Sequence, residues 1–416
     1  MYSSAYYGSS RRFSFITCLL PDDNSAQIGY YGLMSPFGNI IAASFLSRPN
    51  RFVVECKIDG RKVRAYLPNP GRLWELLLPG VRLYLIKFPP SSEKSLKYMA
   101  VAVERNGIPI MLHTHHNNTV ARRLIEENRI PGLEGATIIK PEHTIGHSRF
   151  DFLLGREGRD VLLEVKSCTL FNETLAMFPD AVTARGTKHL LELASLSRKG
   201  MNVAVLFIVH APNVRFFMPE HHTDLDFSQT LLSVKDRVMV KAVSVGWNHD
   251  LTIGDEVREL TIPWDLVMQE SHDSGSYIVV LRLPRDRRIS VGGLSDIRFR
   301  KGFYLYTGSA KKDLTRRINR HRSERKNLFW HIDYLRGFSG FHAALPIRTS
   351  ADLECEIAAS LNEIADWRIN GFGSSDCTCE THLFGMRDDP LHSPEFIKRL
   401  LYFRMGRLEE RLSKGL

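Results

Sequence analysis

The stretch from Arg149 to Leu170, RFDFLLGREGRDVLLEVKSCTL, limits most strongly what this chain can fold into. Two apolar runs of strand length are joined by a turn-rich segment, with Asp151, Glu164 and Lys166 set inside them. Strand residues alternate between faces, so Glu164 and Lys166 point one way and Val165 the other. If the turn pairs the two runs, Asp151 lies across from them. The flanking residues are apolar, as in a buried strand, and buried charge is costly unless it is paired or metal-bound. Two carboxylates meeting at a strand crossing suit a hard divalent cation, Mg²⁺ or Mn²⁺, completed by water and a substrate phosphate. Lys166 would then stabilise charge on the attacked phosphate or orient the water. This combination allows phosphodiester hydrolysis. Without a metal, the same residues form an internal Glu164–Lys166 salt bridge.

Upstream, RFVVECKI, KVRAYL, VRLYLIKF, YMAVAVE and IPIMLH read as five short strands, with Asp59-Gly60 and Asn106-Gly107 as hairpin turns. A small barrel of the oligonucleotide-binding (OB) type fits, and an SH3-like barrel or an open meander would share the pattern. Val120, Leu124 and Ile125 are spaced for a helix. After the charged strands, GTKHLLELASLSRKG reads as a helix with a basic last turn before Gly200, and NVAVLFIVH as a buried strand. The second unit is therefore mixed α/β.

A length of 416 residues calls for two or three domains. The formal charge of +10 favours a polyanionic partner, and Arg298 to Lys326 holds eleven Lys/Arg against Asp313 and Glu324. A solvated helix face is the alternative for that run. Six cysteines over this length make no disulfide framework and fit a reducing cytoplasm. No apolar run of about 18 residues is present to span a membrane. Arg11-Arg12 before FSFITCLL imitates a signal peptide, but PDDN follows at once, so export is not expected. Residues 1–47, rich in Ser, Tyr and Gly, read as a loosely ordered extension.

PNPGRLWELLLPG, GHSRFDFLL, LLEVKSCTL and FPDAVTARGTKHLLEL, in that order, resemble the motifs of the sugar fermentation stimulation protein (SfsA) family. The resemblance implies an OB-type barrel followed by a PD-(D/E)xK nuclease-like domain, and DNA binding. It places Asp151, Glu164 and Lys166 on the nuclease-like signature, adds Glu142 as a further acidic member, and makes Arg149, Arg185 and Lys188 phosphate-facing.

Beyond residue 273, GSYIVVLRL and GFYLYTGSA read as strands leading into the basic helix KKDLTRRINRHRSERK. Two tyrosines beside such a helix can act as general base or hydrogen-bond donor, and a helix arginine can grip phosphate in bidentate fashion. Buried strand tyrosines are also ordinary core residues. GSY, YTG, Arg317 and His321 resemble the GIY-YIG nuclease superfamily, in a small branch of it that runs on through WHIDYL and GFGSSDCTCETHLF. The resemblance makes Tyr277 and Tyr306 the motif tyrosines and Arg317 the helix arginine, with Lys311, Lys312, Arg316, Arg320 and His321 on the nucleic-acid side. Its metal-binding glutamate is matched to Glu356, with His331 and Asp333 as alternatives. The two tyrosines stand roughly thirty residues apart, wider than the superfamily's usual spacing. Cys377, Cys379 and His382 supply three zinc ligands, with a fourth from His331 or Cys355, against buried thiols as the ordinary reading.

The sequence thus describes an α/β multidomain chain: an extension (1–47), an OB-like barrel (48–116), a PD-(D/E)xK-like α/β domain (117–247), a linker (248–273), an α+β GIY-YIG-like domain (274–390) and a C-terminal helix (391–416) capped by Ser393. Two functions are in play, a metal-dependent nuclease and a non-catalytic DNA-binding regulator. A sugar-metabolising enzyme has no support, since neither a P-loop nor a dinucleotide fingerprint is present.

Overall fold

Three hairpins turn on a two-residue pair with positive φ at both positions: Asp59-Gly60, Asn106-Gly107 and Glu157-Gly158. Such turns match the right-handed twist of the strands they join, and each sets the register of its own strand pair. A computed structural model of the chain describes residues 36–89, 91–92, 94–146 and 148–415. Most of the proposed extension, residues 1–35, lies outside the described residues.

The first sheet contains β1 (Ile40–Asn50), β2 (Val53–Ile58), β3 (Arg61–Tyr66), β4 (Arg82–Lys87), β5 (Tyr98–Arg105) and β6 (Ile108–Met111), in the order β3-β2-β1-β4-β5-β6. Parallel pairing of Ala65 with Tyr98 and Tyr66 with Met99 brings β3 back to β5 and closes a five-stranded barrel, with β6 added outside the closure. The open meander is thereby excluded. The barrel also needs β1, most of which falls within the segment 1–47 that the sequence presents as an extension. The strand sends only Ala43 and Phe45 fully into the core, so it shows little apolar alternation, and the Ser/Tyr/Gly-rich residues before it disguise it further.

In the middle domain, α1 (Asn117–Glu126) buries Val120, Leu124 and Ile125 as the spacing requires. There follow β7 (Thr137–Ile145), β8 (Ser148–Arg156), β9 (Arg159–Cys168), β10 (Leu170–Phe171), β11 (Leu175–Phe178), α2 (Ala184–Arg198), β12 (Asn202–Val209), β13 (Phe216–Pro219), α3 (Leu225–Val234), β14 (Met239–Trp247), β15 (Ile253–Glu259) and α4 (Trp264–Glu270). The main sheet runs β15-β14-β12-β9-β8-β7, and β10-β11-β13 form a small second sheet. Strands β9, β12 and β14 are parallel, and α2 and α3 lie on the crossovers between them. Thr183 and Asp224 cap these two helices by accepting from Gly186 N and Phe227 N.

The stretch 248–273 is not a featureless linker. Strand β15 extends the main sheet from its edge, and α4 buries Leu266 and Val267. An edge strand reading IGDEVRE buries too little to alternate visibly, and a seven-residue helix is too short to show a period.

The last domain comprises β16 (Gly275–Leu283), β17 (Arg287–Ser290), β18 (Asp296–Phe299), β19 (Gly302–Ala310), α5 (Leu314–Arg322), α6 (His331–Arg336), β20 (Gly340–Arg348), α7 (Glu354–Asn362), β21 (Trp367–Arg368), β22 (Leu383–Met386), α8 (Pro394–Leu401) and α9 (Arg407–Lys414). Its sheet order is β20-β16-β19-β22-β21, with β17 and β18 as a separate hairpin. Strand β16 is buried on both sides: Tyr277, Val279 and Leu281 face α5 and α6, and Ile278 and Val280 face α7 and α8. Ser393 caps α8 as expected, and a π turn over Tyr402–Gly406 joins it to α9. The C-terminal helix also has a docking role that the sequence did not show. Glu409 Oε1 accepts from Thr174 N (2.6 Å) and Leu175 N (2.8 Å), fastening α9 to the middle domain.

Candidate active sites

Asp151 and Glu164 meet at the crossing of β8 and β9. The register Phe152↔Leu163 makes 151 and 164 neighbours on one face, and Asp151 Oδ2 accepts from Val165 N at 2.7 Å. Its Oδ1 accepts from Asn118 Nδ2 on α1 at 2.8 Å. Glu164 is 4% exposed; its Oε1 is shared by Lys166 Nζ and by His189 Nδ1 on α2, the latter at 2.6 Å. Burial, and then the neighbouring Glu164 carboxylate, push Asp151 above the usual carboxylate range. Burial acts the same way on Glu164, but the hydrogen bond from His189 and the Lys166 ammonium outweigh it and hold Glu164 below that range.

Glu164 Oε2 is buried with no hydrogen-bond partner among the described residues. An orphaned carboxylate oxygen beside a second carboxylate raised by its neighbour is a fitting donor set for a hard cation, which would satisfy the one and lower the other. The Glu164–Lys166 ion pair expected in the metal-free case is also present, so the arrangement satisfies both readings in part.

The other predicted members of this site stand outside it. Glu142 is exposed on β7, paired with exposed Arg149 at 3.4 Å, and does not join Asp151 and Glu164 in a three-ligand cluster. Arg185 is exposed and donates to His189 Nε2 at 3.4 Å, so it backs the imidazole that touches Glu164. Lys188 is exposed beside Glu192. Asn118 and His189 were missed by the sequence reading. His189 stood on a predicted helix and Asn118 just before one, and nothing local marks which polar residue there turns inward.

The last domain gathers a second cluster. Tyr277 on β16 lies opposite Gly308 on β19, and a Cβ at 308 would occupy the space of the phenol ring. The glycine is therefore required by a crossing side chain. Tyr277 Oη and His321 Nε2 are 2.8 Å apart, and the Tyr277 and Tyr306 ring centroids 6.5 Å apart. Arg317 Nη1 donates to Ser309 O at 2.7 Å, Ser309 Oγ donates to Glu354, and Glu354 Oε1 also meets His382 Nδ1 at 2.8 Å. Burial, followed by the charge of Tyr306 for Tyr277 and of Glu354 for Tyr306, raises both phenols.

The acidic residue beside the tyrosines is thus Glu354. Glu356 is exposed on the other side of α7, because residues two apart on a helix do not share a face. The alternatives are occupied as well: His331 Nδ1 accepts from Gly373 N, and Asp333 is 1% exposed, held by Arg320 (2.9 Å) and Lys326 (2.8 Å). Those two cations and the capped backbone amides outweigh burial and bring the Asp333 carboxyl down to about 2. Arg320 is consequently an internal partner and no free phosphate contact. His321, 1% exposed and pushed down to about 3 by burial, is a neutral partner of Tyr277. Lys311, Lys312 and Arg316 are exposed. Cys355, Cys377, Cys379 and His382 bring their ligand atoms within 4.8 Å of one another, so Cys355, not His331, is the fourth member of that group.

No helix among the described residues is long and apolar enough to cross a membrane. The sequence profile of the sugar fermentation stimulation protein RE domain matches residues 115–250, that of the family's N-terminal OB domain matches 46–112, and that of the domain of unknown function DUF123 matches 276–401. A sugar fermentation stimulation protein homolog of Clostridium tetani is 39% identical over 223 residues, 53% of this chain and 96% of its own length. Its counterpart in Methanothermobacter thermautotrophicus is 39% identical over 193 residues, 46% of this chain and 80% of its own. The solved structure of Pyrococcus furiosus SfsA in complex with Ca²⁺ is 31% identical and covers 54% of this chain and 96% of that one, at a TM-score of 0.49. With a closed OB barrel leading into an α/β domain and relatives matched over nearly their whole length, the chain belongs to the sugar fermentation stimulation protein family, extended by a C-terminal DUF123 domain.

Proposed function

We propose that this protein binds nucleic acid, DNA in the first instance, and hydrolyses its phosphodiester bonds with the help of a divalent cation. The observation that carries the reading is the pair of carboxylates at the β8–β9 crossing, where the buried Glu164 Oε2 has no hydrogen-bond partner among the described residues. Asp151 and Glu164 would hold Mg²⁺ or Mn²⁺, which supplies an activated water and offsets charge on the phosphate. Lys166, next to Glu164, is the group placed to stabilise the negative charge that grows on the phosphoryl oxygens. His189 keeps the Glu164 carboxylate oriented, and Asn118 does the same for Asp151. The OB barrel, a fold that often holds nucleic-acid strands, supports the choice of ligand.

The C-terminal domain is proposed as a second, GIY-YIG-like nuclease unit. Tyr277 and Tyr306 would orient the attacking water through their hydroxyls, Arg317 would contact the phosphate, and Glu354 would hold the cation. Lys311, Lys312 and Arg316 supply a phosphate-facing surface beside it.

The non-catalytic reading has one observation of its own. Lys166 and His189 both engage Glu164 Oε1, so the middle domain's carboxylate is internally partnered without a metal. Cleavage of labelled single- and double-stranded DNA and RNA, with Mg²⁺, Mn²⁺ or EDTA, separates the two readings. Metal-dependent cleavage that Glu164→Ala or Tyr306→Phe removes supports the nuclease and identifies the working domain. Salt-sensitive binding without cleavage under every condition supports the regulator.

A further inference from the structure

We propose that Cys355, Cys377, Cys379 and His382 form a closed, four-ligand zinc site that fixes the loop before β22 onto the start of α7. This is independent of whether either nuclease-like unit cleaves DNA.

The four residues come from two separated parts of the chain. Cys355 is the second residue of α7, and the other three lie on the connection between β21 and β22. Residues 371–382 of that connection form no helix or strand. The loop is held at its base, where His382 N donates to Phe372 O and Gly371 N donates to Glu380 O, both at 2.8 Å. Its tip therefore lacks backbone pairing of its own, and a cation shared with α7 would hold it in place.

The ligand geometry fits zinc. All four ligand atoms lie within 4.8 Å of one another, and Cys377 Sγ is 3.4 Å from His382 Nε2. In a tetrahedral site with bonds of about 2.0–2.3 Å, ligand atoms stand roughly 3.3–3.8 Å apart, so only a small contraction is needed. All three cysteines are free. Three soft sulfur donors with one imidazole select zinc over the hard cations expected at a pair of carboxylates.

A second observation concerns the imidazole. His382 is 1% exposed and its Nδ1 meets Glu354 Oε1 at 2.8 Å, which fixes the proton on Nδ1 and leaves the Nε2 lone pair toward the sulfur cluster. A carboxylate behind a histidine, setting its tautomer and orientation, is the usual support of a metal-bound imidazole. Here that carboxylate is also bonded by Ser309, whose carbonyl receives Arg317. Zinc would thus set the position of Glu354 against the tyrosine cluster through His382. Four protein ligands leave no open coordination position, so the ion is structural.

Elemental analysis of the full chain, purified without chelator and without a metal-affinity step, should find about one equivalent of zinc per chain. Cys379→Ser and His382→Ala should each fall below about a tenth of that, while Ser375→Ala, in the same loop, should keep it. Because the first two variants risk unfolding, Cys355→Ser, at an exposed position, gives a further case, and cobalt reconstitution of the wild type gives an independent readout. The cobalt form should show the intense visible bands of a tetrahedral thiolate site, weaker in Cys355→Ser. Metal-free wild type that takes up neither zinc nor cobalt, iron found in place of zinc, or full zinc retained in the Cys355 and Cys379 variants would overturn the proposal.

Discussion

His189 Nδ1 and Glu164 Oε1 stand 2.6 Å apart, joining α2 to β9 across the middle domain's candidate site. The contact helps hold this buried carboxyl below the usual carboxylate range, while its second oxygen has no hydrogen-bond partner among the described residues. Removing the imidazole should therefore cost stability and loosen the site together.

His189→Ala should destabilise the chain by about 1–3 kcal/mol in urea unfolding at neutral pH, the usual cost of a lost buried hydrogen bond to a charged group. Because the folded Glu164 value is depressed, its contribution is present above the unfolded carboxylate value and disappears as pH falls through the folded one. Asp151, raised in the fold, acts with the opposite sign. Acid unfolding of His189→Ala should accordingly be less steep than that of wild type, and an unchanged slope would disprove the role given to this pair.

Asp333 is a buried anion that depends on Arg320 and Lys326. Arg320→Ala removes one of its two cations and should lower stability by about 1–3 kcal/mol, less than the ~3–5 kcal/mol for a buried charge stripped of its whole partner set. The Asp333 contribution should persist down to about pH 4, the unfolded carboxylate value, and vanish toward the folded value of about 2. Thermal melts of Asp333→Asn against wild type between these limits would show it.

Lys311, Lys312 and Arg316 are exposed cations before and on the first turn of α5. If they face phosphate, their triple alanine variant should reduce the slope of log affinity against log salt by roughly 2–3 on duplex DNA, since each phosphate contact contributes about 0.9. Fluorescence anisotropy over a salt series measures this, and an unaltered slope would place the nucleic-acid face elsewhere.

Glu354→Ala and Glu356→Ala differ by one helix face. Cleavage that depends on the C-terminal domain should be lost in the first, by about a hundredfold or more, and be nearly unchanged in the second. Single-turnover assays in Mn²⁺ distinguish them, and equal loss in both variants would contradict the assignment to Glu354.

Gly308→Ala would force a methyl into the Tyr277 ring. Overpacking of this kind costs about 1–3 kcal/mol. Pairing it with Tyr277→Phe should relieve little of the loss, because ring atoms as well as the hydroxyl stand in the way. Calorimetric melts of the single and double variants test the point.

Much of the architecture was legible in the chain. Asp-Gly and Asn-Gly pairs between alternating runs marked the barrel hairpins, and β8 and β9 followed from two apolar stretches around a turn. Strand β1 and the segment 248–273 were lost because edge or half-buried elements bury too few side chains to print a period. That Asp151 and Glu164 meet was readable because two apolar runs around one turn pair with each other. That Glu354, and not Glu356, stands beside the tyrosines was not legible, since the two look alike in sequence and only the packing of α7 against β19 and β22 separates them.

The sequence by itself determined the residue types that chemistry can use, the strand pair that carries two carboxylates, the basic run before and along α5, and the family to which residues 46–250 belong. Tertiary structure alone decided which of those residues meet. It turned His189 and Asn118 toward the carboxylates, withdrew Arg320 and His321 into internal contacts, and brought Cys355 to cysteines more than twenty residues away. Periodicity records which face of an element is buried, a local property. The partner of a polar side chain depends on contacts between elements distant in sequence, and no local pattern encodes them.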